Sequence, residues 1–382
     1  MTSPAKQVFH SLDGIRGVAA LIVMTRHLFA FFHTRNFLEF QEAGLAVDIF
    51  FVLSGVVISH NYGERIRSGL PVSKFIWIRV VRFYPLYLLG VVVSLLSLLM
   101  FHGEYGAGTL AWMTCAAALM VPYIGSATIA YFPLNVPAWS LFQELAVNVV
   151  YAATVGILSP RRLTAVVVVS AAGLVGCLTM IWPHTMEFGW ASVRWKGFDV
   201  GLLAGGCRVA YSFFMGVLLY RIFVARGGAQ TPHRHARWVP WALLAAVALI
   251  LTAQPGETHH SLYDLLIVLA VFPAVVYTAL HFQPCGIGAR ICAFFGTVSY
   301  AIYALHAPLG LLVQSALKYQ AGVLVENFAP WTGLAFAILL IPLCYLLDLT
   351  YDGPVRSWLG RWSGLRWWKG LNLQAMKMAR NT

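Results

Sequence analysis

Charge is scarce in this chain. Only 10% of its residues are Asp, Glu, Lys or Arg, against about 25% in an ordinary soluble domain. Acids are the scarcer sign: 14 Asp and Glu stand against 26 Lys and Arg in 382 residues, a formal net charge of +12. Cysteine is sparse as well. Cys115, Cys177, Cys207, Cys285, Cys292 and Cys344 are scattered with no C-x-x-C pair, which argues against a disulfide framework and a thiolate zinc site. They read as small apolar packing residues. The sequence has no internal repeat, no low-complexity linker and no polar stretch long enough for a soluble domain. No small-residue cleavage site follows the first apolar core, so that segment is expected to stay as a span. The abundant component is apolar: 59% of residues, with a mean hydropathy of +0.74. That balance excludes a soluble enzyme and predicts one polytopic membrane domain. The basic excess, with a pI near 9.6, is assigned to cytoplasmic loops and not to nucleic-acid binding.

Apolar stretches fall at 12–33, 44–60, 76–101, 109–122, 138–158, 163–182, 208–225, 238–253, 262–282, 292–317 and 331–350. Lys and Arg set their direction. The tail, with Arg356, Arg361, Arg366, Lys369, Lys377 and Arg380, is placed inside, as are Arg290, Arg226, Arg234, Arg237, Arg161 and Arg162. Counting from the other end puts Lys6 and the 60–75 loop inside too. The two counts agree only if one stretch does not cross. Residues 109–122 would span about 21 Å as a helix, short of a ~30 Å hydrocarbon core. They are read as re-entrant, which would set Glu144 and Trp139 near the outer surface, opposite Arg79 and Arg82 with His27 between. The predicted fold is therefore all-α: a polytopic integral membrane helical bundle of about ten transmembrane helices plus one short re-entrant segment. Both termini are cytoplasmic. Loop 183–206, with Arg194 and Lys196, falls outside and breaks the charge rule mildly; either it is a small external, substrate-facing segment or the topology differs there. The Trp- and Arg-rich end, WLGRWSGLRWWKG, reads as an interfacial anchor on anionic membrane lipid.

The chemistry concentrates in the first hairpin, about Ser11 to His60. An ionisable side chain inside a span is costly and marks function. The first stretch holds Asp13, Arg16, Arg26 and His27; the second holds Asp48 and Ser54. Arg16 and His27 lie about 16 Å apart on one helix, on nearly the same face. A buried neutral imidazole takes a proton from a hydroxyl as general base, or attacks an acyl thioester as nucleophile. The competing reading is a histidine that hydrogen-bonds a neighbouring helix. Arg16, with Arg79 and Arg82 at the start of the third span, would hold phosphates in bidentate fashion; the competing reading is positive-inside anchoring. Glu144 lies six residues into its stretch and would orient a histidine or bind an acceptor. Trp139 is read as an interfacial anchor, and Asp13 as an N-terminal helix cap. Asp48 is read as a positioning group. Ser54, before Gly55, is read as a helix-packing residue, since no G-x-S-x-G elbow surrounds it. His306, deep in its span, would be a second base or a partner to the acceptor. His102, His184, His259 and His260 are read as solvated, and no metal is assigned.

LDGIRGVAA with Arg16-x10-His27, followed by VDIFFVLSG, RVVRFYPLY, PAWSLFQE and SYAIYALHAPL, resembles the membrane-bound acyltransferase family 3 over about residues 8–350. The resemblance implies O-acylation of sugars or small molecules, with residues 351–382 as a basic, Trp-rich cytoplasmic tail. It implies an acyl-CoA donor, most simply acetyl-CoA, contacted by Arg16, Arg79 and Arg82. It implies a glycan or other hydroxyl acceptor, with His27, Glu144 and His306 as catalytic candidates and no metal. The chain is similar to members without an SGNH-type domain, which modify O-antigen, exopolysaccharide, Nod factors or macrolides. The location implied is the bacterial inner membrane, and a homo-oligomer is compatible with it. The competing class is a proton-coupled transporter or flippase, against which no inverted repeat is seen.

The sidedness is testable by maleimide labelling of intact cells, in a background without the six native cysteines. Single cysteines at Gly125 and Gly256 are expected to label from outside and one at Gly69 is not. Protection of Gly125 until the inner face is permeabilised would turn 109–122 into a full crossing.

Overall fold

The computed structural model describes residues 7–32, 40–101, 103, 105–180, 188–228, 237–256, 259–322 and 325–362. These form an all-α bundle with one two-residue hairpin. In chain order the elements are α1 (His10–Phe32), α2 (Ala46–Ile58), α3 (Glu64–Arg67), α4 (Val72–Phe101), α5 (Ala107–Ala118), α6 (Ala138–Thr154) and α7 (Pro160–Met180). The hairpin β1 (Arg194–Trp195) and β2 (Phe198–Asp199) follows. Then come α8 (Gly201–Ala225), α9 (Val239–Leu251), α10 (His260–Leu266), α11 (Phe272–His281), α12 (Ile287–Tyr319), α13 (Trp331–Leu347) and α14 (Gly353–Trp362). Short 3-10 and π turns join several of these into continuous rods, since a chain in lipid must satisfy its own backbone groups. Among the described residues, seven helices are long and apolar enough to cross a membrane: Glu42–Arg67, Val72–Phe101, Pro160–Thr179, Gly201–Ala225, His260–His281, Ile287–Tyr319 and Trp331–Arg361. The rest of the helical mass is α1, α6, and the shorter α5 and α9.

Three boundaries differ from the apolar stretches. α8 starts at Gly201, two turns before Arg208. The last rod runs on through 350 to Arg361, and residues 363–382 lie outside the described residues. The stretch 109–122 yields only the 12 residues of α5, which lies against α4 with Tyr87 Oη donating to Ala117 O. Its Trp112 is half exposed.

Small residues set the closest helix contacts, as expected where lipid gives helices no hydrophobic reason to associate. A Cβ on Gly55 of α2 would sit 2.0 Å from Phe213 O of α8, and one on Gly216 of α8 would sit 2.1 Å from Val52 O of α2. Neither helix accepts even a methyl group at that crossing. α1 and α12 meet in the same way at Gly17 and Gly296.

One buried ion pair fastens the α2–α8 crossing. Arg208 Nε donates to Asp48 Oδ1 at 2.8 Å, and Nη2 donates to Oδ2 at 2.6 Å and to Gly44 O at 2.7 Å. Nη1 reaches Phe188 O at 3.3 Å, and both side chains are 2% exposed or less. The fork geometry of arginine suits this carboxylate, and neither charge survives alone in such a place. Beyond the helices, Asp199 ties the hairpin to the loop before α6. Burial pushes its carboxyl up, but hydrogen bonds from the Tyr131 hydroxyl and the Gly201 and Val193 amides outweigh this and hold it below its ordinary range.

Arg208→Leu is expected to lower stability by about 3–5 kcal/mol, because it strands a buried carboxylate. Asp48→Leu combined with Arg208→Leu is expected to recover much of that loss. Thermal unfolding in detergent reads both. Equal melting of wild type and the single variant would show that the pair carries no stabilising weight.

Candidate functional site

Two cavities meet inside the bundle. The first, about 210 Å³, is lined by Arg16 of α1, Ser54 of α2, Arg79 and Arg82 of α4, Glu144 of α6 and Tyr300 of α12. The second, about 280 Å³, is lined by Arg26 and His27 of α1, Trp139 of α6, Trp190, and Arg208 of α8. Val47 of α2 and Tyr303 of α12 line both cavities, so these two side chains form the partition. Tyr303 Oη is 2.7 Å from Ser140 Oγ and 3.2 Å from Pro137 O, which fixes its ring in place.

In the arginine cavity, Arg79 Nη2 donates to Glu144 Oε1 at 2.8 Å, and Ser54 Oγ donates to the same oxygen at 2.6 Å. The guanidinium carbon of Arg79 lies 4.7 Å from the Phe83 ring centre, and that of Arg82 lies 5.4 Å from Tyr300. These are the contacts a planar, weakly hydrated cation makes in a dry setting. Arg16 leans on Asp13, with Nη1 3.5 Å from Oδ1. Guanidinium groups from two helices thus share one cavity with a single carboxylate at its wall.

In the second cavity the imidazoles decide the chemistry. His306 Nδ1 lies 2.9 Å from Ile302 O, and His27 Nδ1 lies 2.9 Å from Val23 O. A carbonyl only accepts, so each neutral ring carries its hydrogen on Nδ1. His306 Nε2 is then the acceptor facing His27 Nδ1 at 3.2 Å. The lone pair of His27 falls on Nε2, the nitrogen suited to receive a proton. His306 is 1% exposed and does not line either cavity, so it acts through His27.

Several expectations are corrected by this geometry. The charge count set Glu144 and Trp139 together, on the far side of His27 from Arg79 and Arg82. Instead Glu144 bonds Arg79, and Trp139 lines the imidazole cavity. The two residues are five positions apart on α6, more than a full turn, and they open into different cavities. A carboxylate inside the bundle also calls for a cation, and Arg79 is that cation. Glu144 orients no histidine among the described contacts. Trp139 is no interfacial anchor: it is 6% exposed, with the Arg208 guanidinium 5.6 Å from its ring. Asp13 does not cap α1 but sits inside its first turn, paired with Arg16. His260 is not simply solvated, since its Nε2 lies 2.7 Å from Glu42 Oε1. With Asp264 these two form the one group of potential metal ligands among the described residues, their atoms within 4.8 Å of one another. His102 and His184 lie outside the described residues, as do 183–187 of the loop read as substrate-facing.

Arg208, Trp190 and Tyr303 were not assigned roles from the sequence. Arg208 stands at the first position of the apolar stretch 208–225, outside every motif quoted from the sequence. The available signal was Asp48, an acid within a span, which calls for a cation in another span.

The chain matches the acyltransferase domain of acyltransferase family 3 over residues 9–349. "Protein 2 in picA locus" of Rhizobium radiobacter is 36% identical over 167 residues, 40% of this chain and 85% of that protein. No solved structure matches. The motifs that share these two cavities all lie within the matched domain, and the chain belongs to acyltransferase family 3, a family of membrane-embedded acyltransferases.

Proposed function

We propose that this protein moves an acyl group, most simply acetyl, from cytoplasmic acyl-CoA to a hydroxyl of a glycan. It would do so from the bacterial inner membrane, with both termini inside. About ten crossings are part of this reading, seven of them the long apolar helices. Residues 8–350 form the acyltransferase unit and 351–382 its basic tail. The observation that carries the reading is the partition: one cavity rich in guanidinium groups and one holding an imidazole, with Val47 and Tyr303 lining both.

Arg79 and Arg82 belong to the inner end of α4 by the Lys/Arg count, and their cavity takes the donor. At about 210 Å³ it is smaller than the ~300–1,000 Å³ of a drug-sized site. It admits the thioester arm of coenzyme A, while the arginines meet its phosphates. Glu144 keeps Arg79 extended through its ion pair. The other cavity takes the acceptor. Trp139 and Trp190 offer flat faces for sugar rings, and Arg26 and Arg208 give the wall its polarity. His27 Nε2 takes the hydroxyl proton, the hydroxyl oxygen attacks the thioester carbonyl, and the proton leaves with the thiolate. His306 holds the His27 ring in the tautomer this requires. Macrolide or other small-molecule hydroxyls would use the same steps.

His27→Ala is expected to lower acyl transfer at least ~10²–10⁴-fold while the protein still inserts and folds. Near-normal acceptor acylation at equal membrane abundance would remove His27 from the chemistry. Arg16→Lys, Arg79→Lys and Arg82→Lys are each expected to weaken donor affinity in detergent calorimetry, since lysine keeps the charge and loses the fork. Unchanged affinity in all three would return these arginines to an anchoring role.

A further inference from the structure

A third cavity lies apart from the two just described. It is an open groove of about 770 Å³ between the end of α2 with α3, the turn between α6 and α7, and the end of α8. These are three segments that the Lys/Arg count independently sets on the inner face: 60–75, the turn bearing Arg161 and Arg162, and the end of α8 before Arg226. Their convergence on one groove comes only from the fold. Arg67, Arg162 and Arg221 line it, together with His60 and Tyr220.

The charge of this groove is not balanced. Its one carboxylate, Glu64, stands 3.6 Å from Arg67, and the Glu64 side chain is 84% exposed, so it is well solvated and offers little compensation. Arg162 and Arg221 each donate to a backbone carbonyl of the α6–α7 turn, Ile157 O and Leu158 O. Carbonyls satisfy N–H groups but bring no countercharge. Nε and Nη2 of Arg221 are buried and make no hydrogen bond of ordinary geometry; the Tyr151 hydroxyl beside them is neutral, and that guanidinium also feels the Arg67 charge. A partly desolvated arginine beside other cations is unfavourable unless an anion joins it. Planar, bidentate donors converging from three segments match the oxygens of a phosphate ester. The volume suits a headgroup-sized ligand.

We propose that this groove is an anion site that holds a phosphate ester, separate from the cavity assigned to the acyl donor. The ester comes from one of two sources, the headgroup of an anionic phospholipid of the inner leaflet or a soluble phosphate compound. The lipid source follows the general habit of basic pockets between helices at an anionic leaflet.

The test uses the full chain, purified and reconstituted in nanodiscs of phosphatidylcholine, with or without phosphatidylglycerol. Native mass spectrometry counts the lipids retained, and calorimetry with inorganic pyrophosphate in phosphatidylcholine discs reads the soluble source. Arg221→Gln, Arg67→Gln and Arg162→Gln are compared with wild type. Arg162 is exposed, so its variant reports even if Arg221→Gln fails to fold. Wild type is expected to bind one of the two probes, and each Gln variant is expected to weaken that binding about tenfold or more, the weight of a charge-assisted hydrogen bond. Loss of phosphatidylglycerol retention assigns a lipid headgroup, and loss of pyrophosphate binding assigns a soluble phosphate. Folded variants that bind both probes as wild type does, or a wild type that binds neither, would overturn the site.

Discussion

The Asp48–Arg208 pair is the constraint from which much of the rest follows. It joins α2 to α8 with both charges nearly out of contact with solvent. In such a place neither charge can be removed alone without stranding the other. The pair also reaches Gly44 O and Phe188 O, so it fixes the start of α2 and the segment that leads to Trp190. Two turns on, Gly55 and Gly216 let the same two helices touch backbone to backbone. Ion pair and glycine crossing together hold α2 rigidly, and α2 supplies Val47 to the partition and Ser54 to the arginine cavity.

A second fixed contact, α1 on α12, supplies the other half of the site. Close approach at Gly17 and Gly296 brings these helices near enough for His27 and His306 to meet, ring centres 4.8 Å apart. Tyr303 lies one turn before His306 on α12 and closes the gap toward α6 through Ser140. The partition is thus made by side chains of α2 and α12, each locked to a different neighbour. Charge is sorted across it. Arg79 and Glu144 neutralise one another on one side, and Arg208 and Asp48 on the other, where His27 also lies. In a low-dielectric interior each pair offsets one guanidinium of its cavity, and the first cavity stays rich in arginine.

The amino-acid sequence by itself determined that this is an all-α membrane chain. Scarce charge and long apolar stretches leave helices as the economical way to satisfy a backbone in lipid. It also determined that Arg16 and His27 ride one helix face, because eleven residues make about three turns. Short α5 was legible from length alone. Tertiary structure decided which distant charges pair. Asp48 in one span and Arg208 in another are 160 positions apart, and no periodicity links them. It decided that Glu144 and Trp139, neighbours in one motif, open into different cavities, because a five-residue step on a helix passes beyond one turn. It decided that His306, 279 positions from His27, stands against it, and that three basic loops share one groove. Local pattern fixes the helix and its faces; only the contacts between helices fix which face meets which.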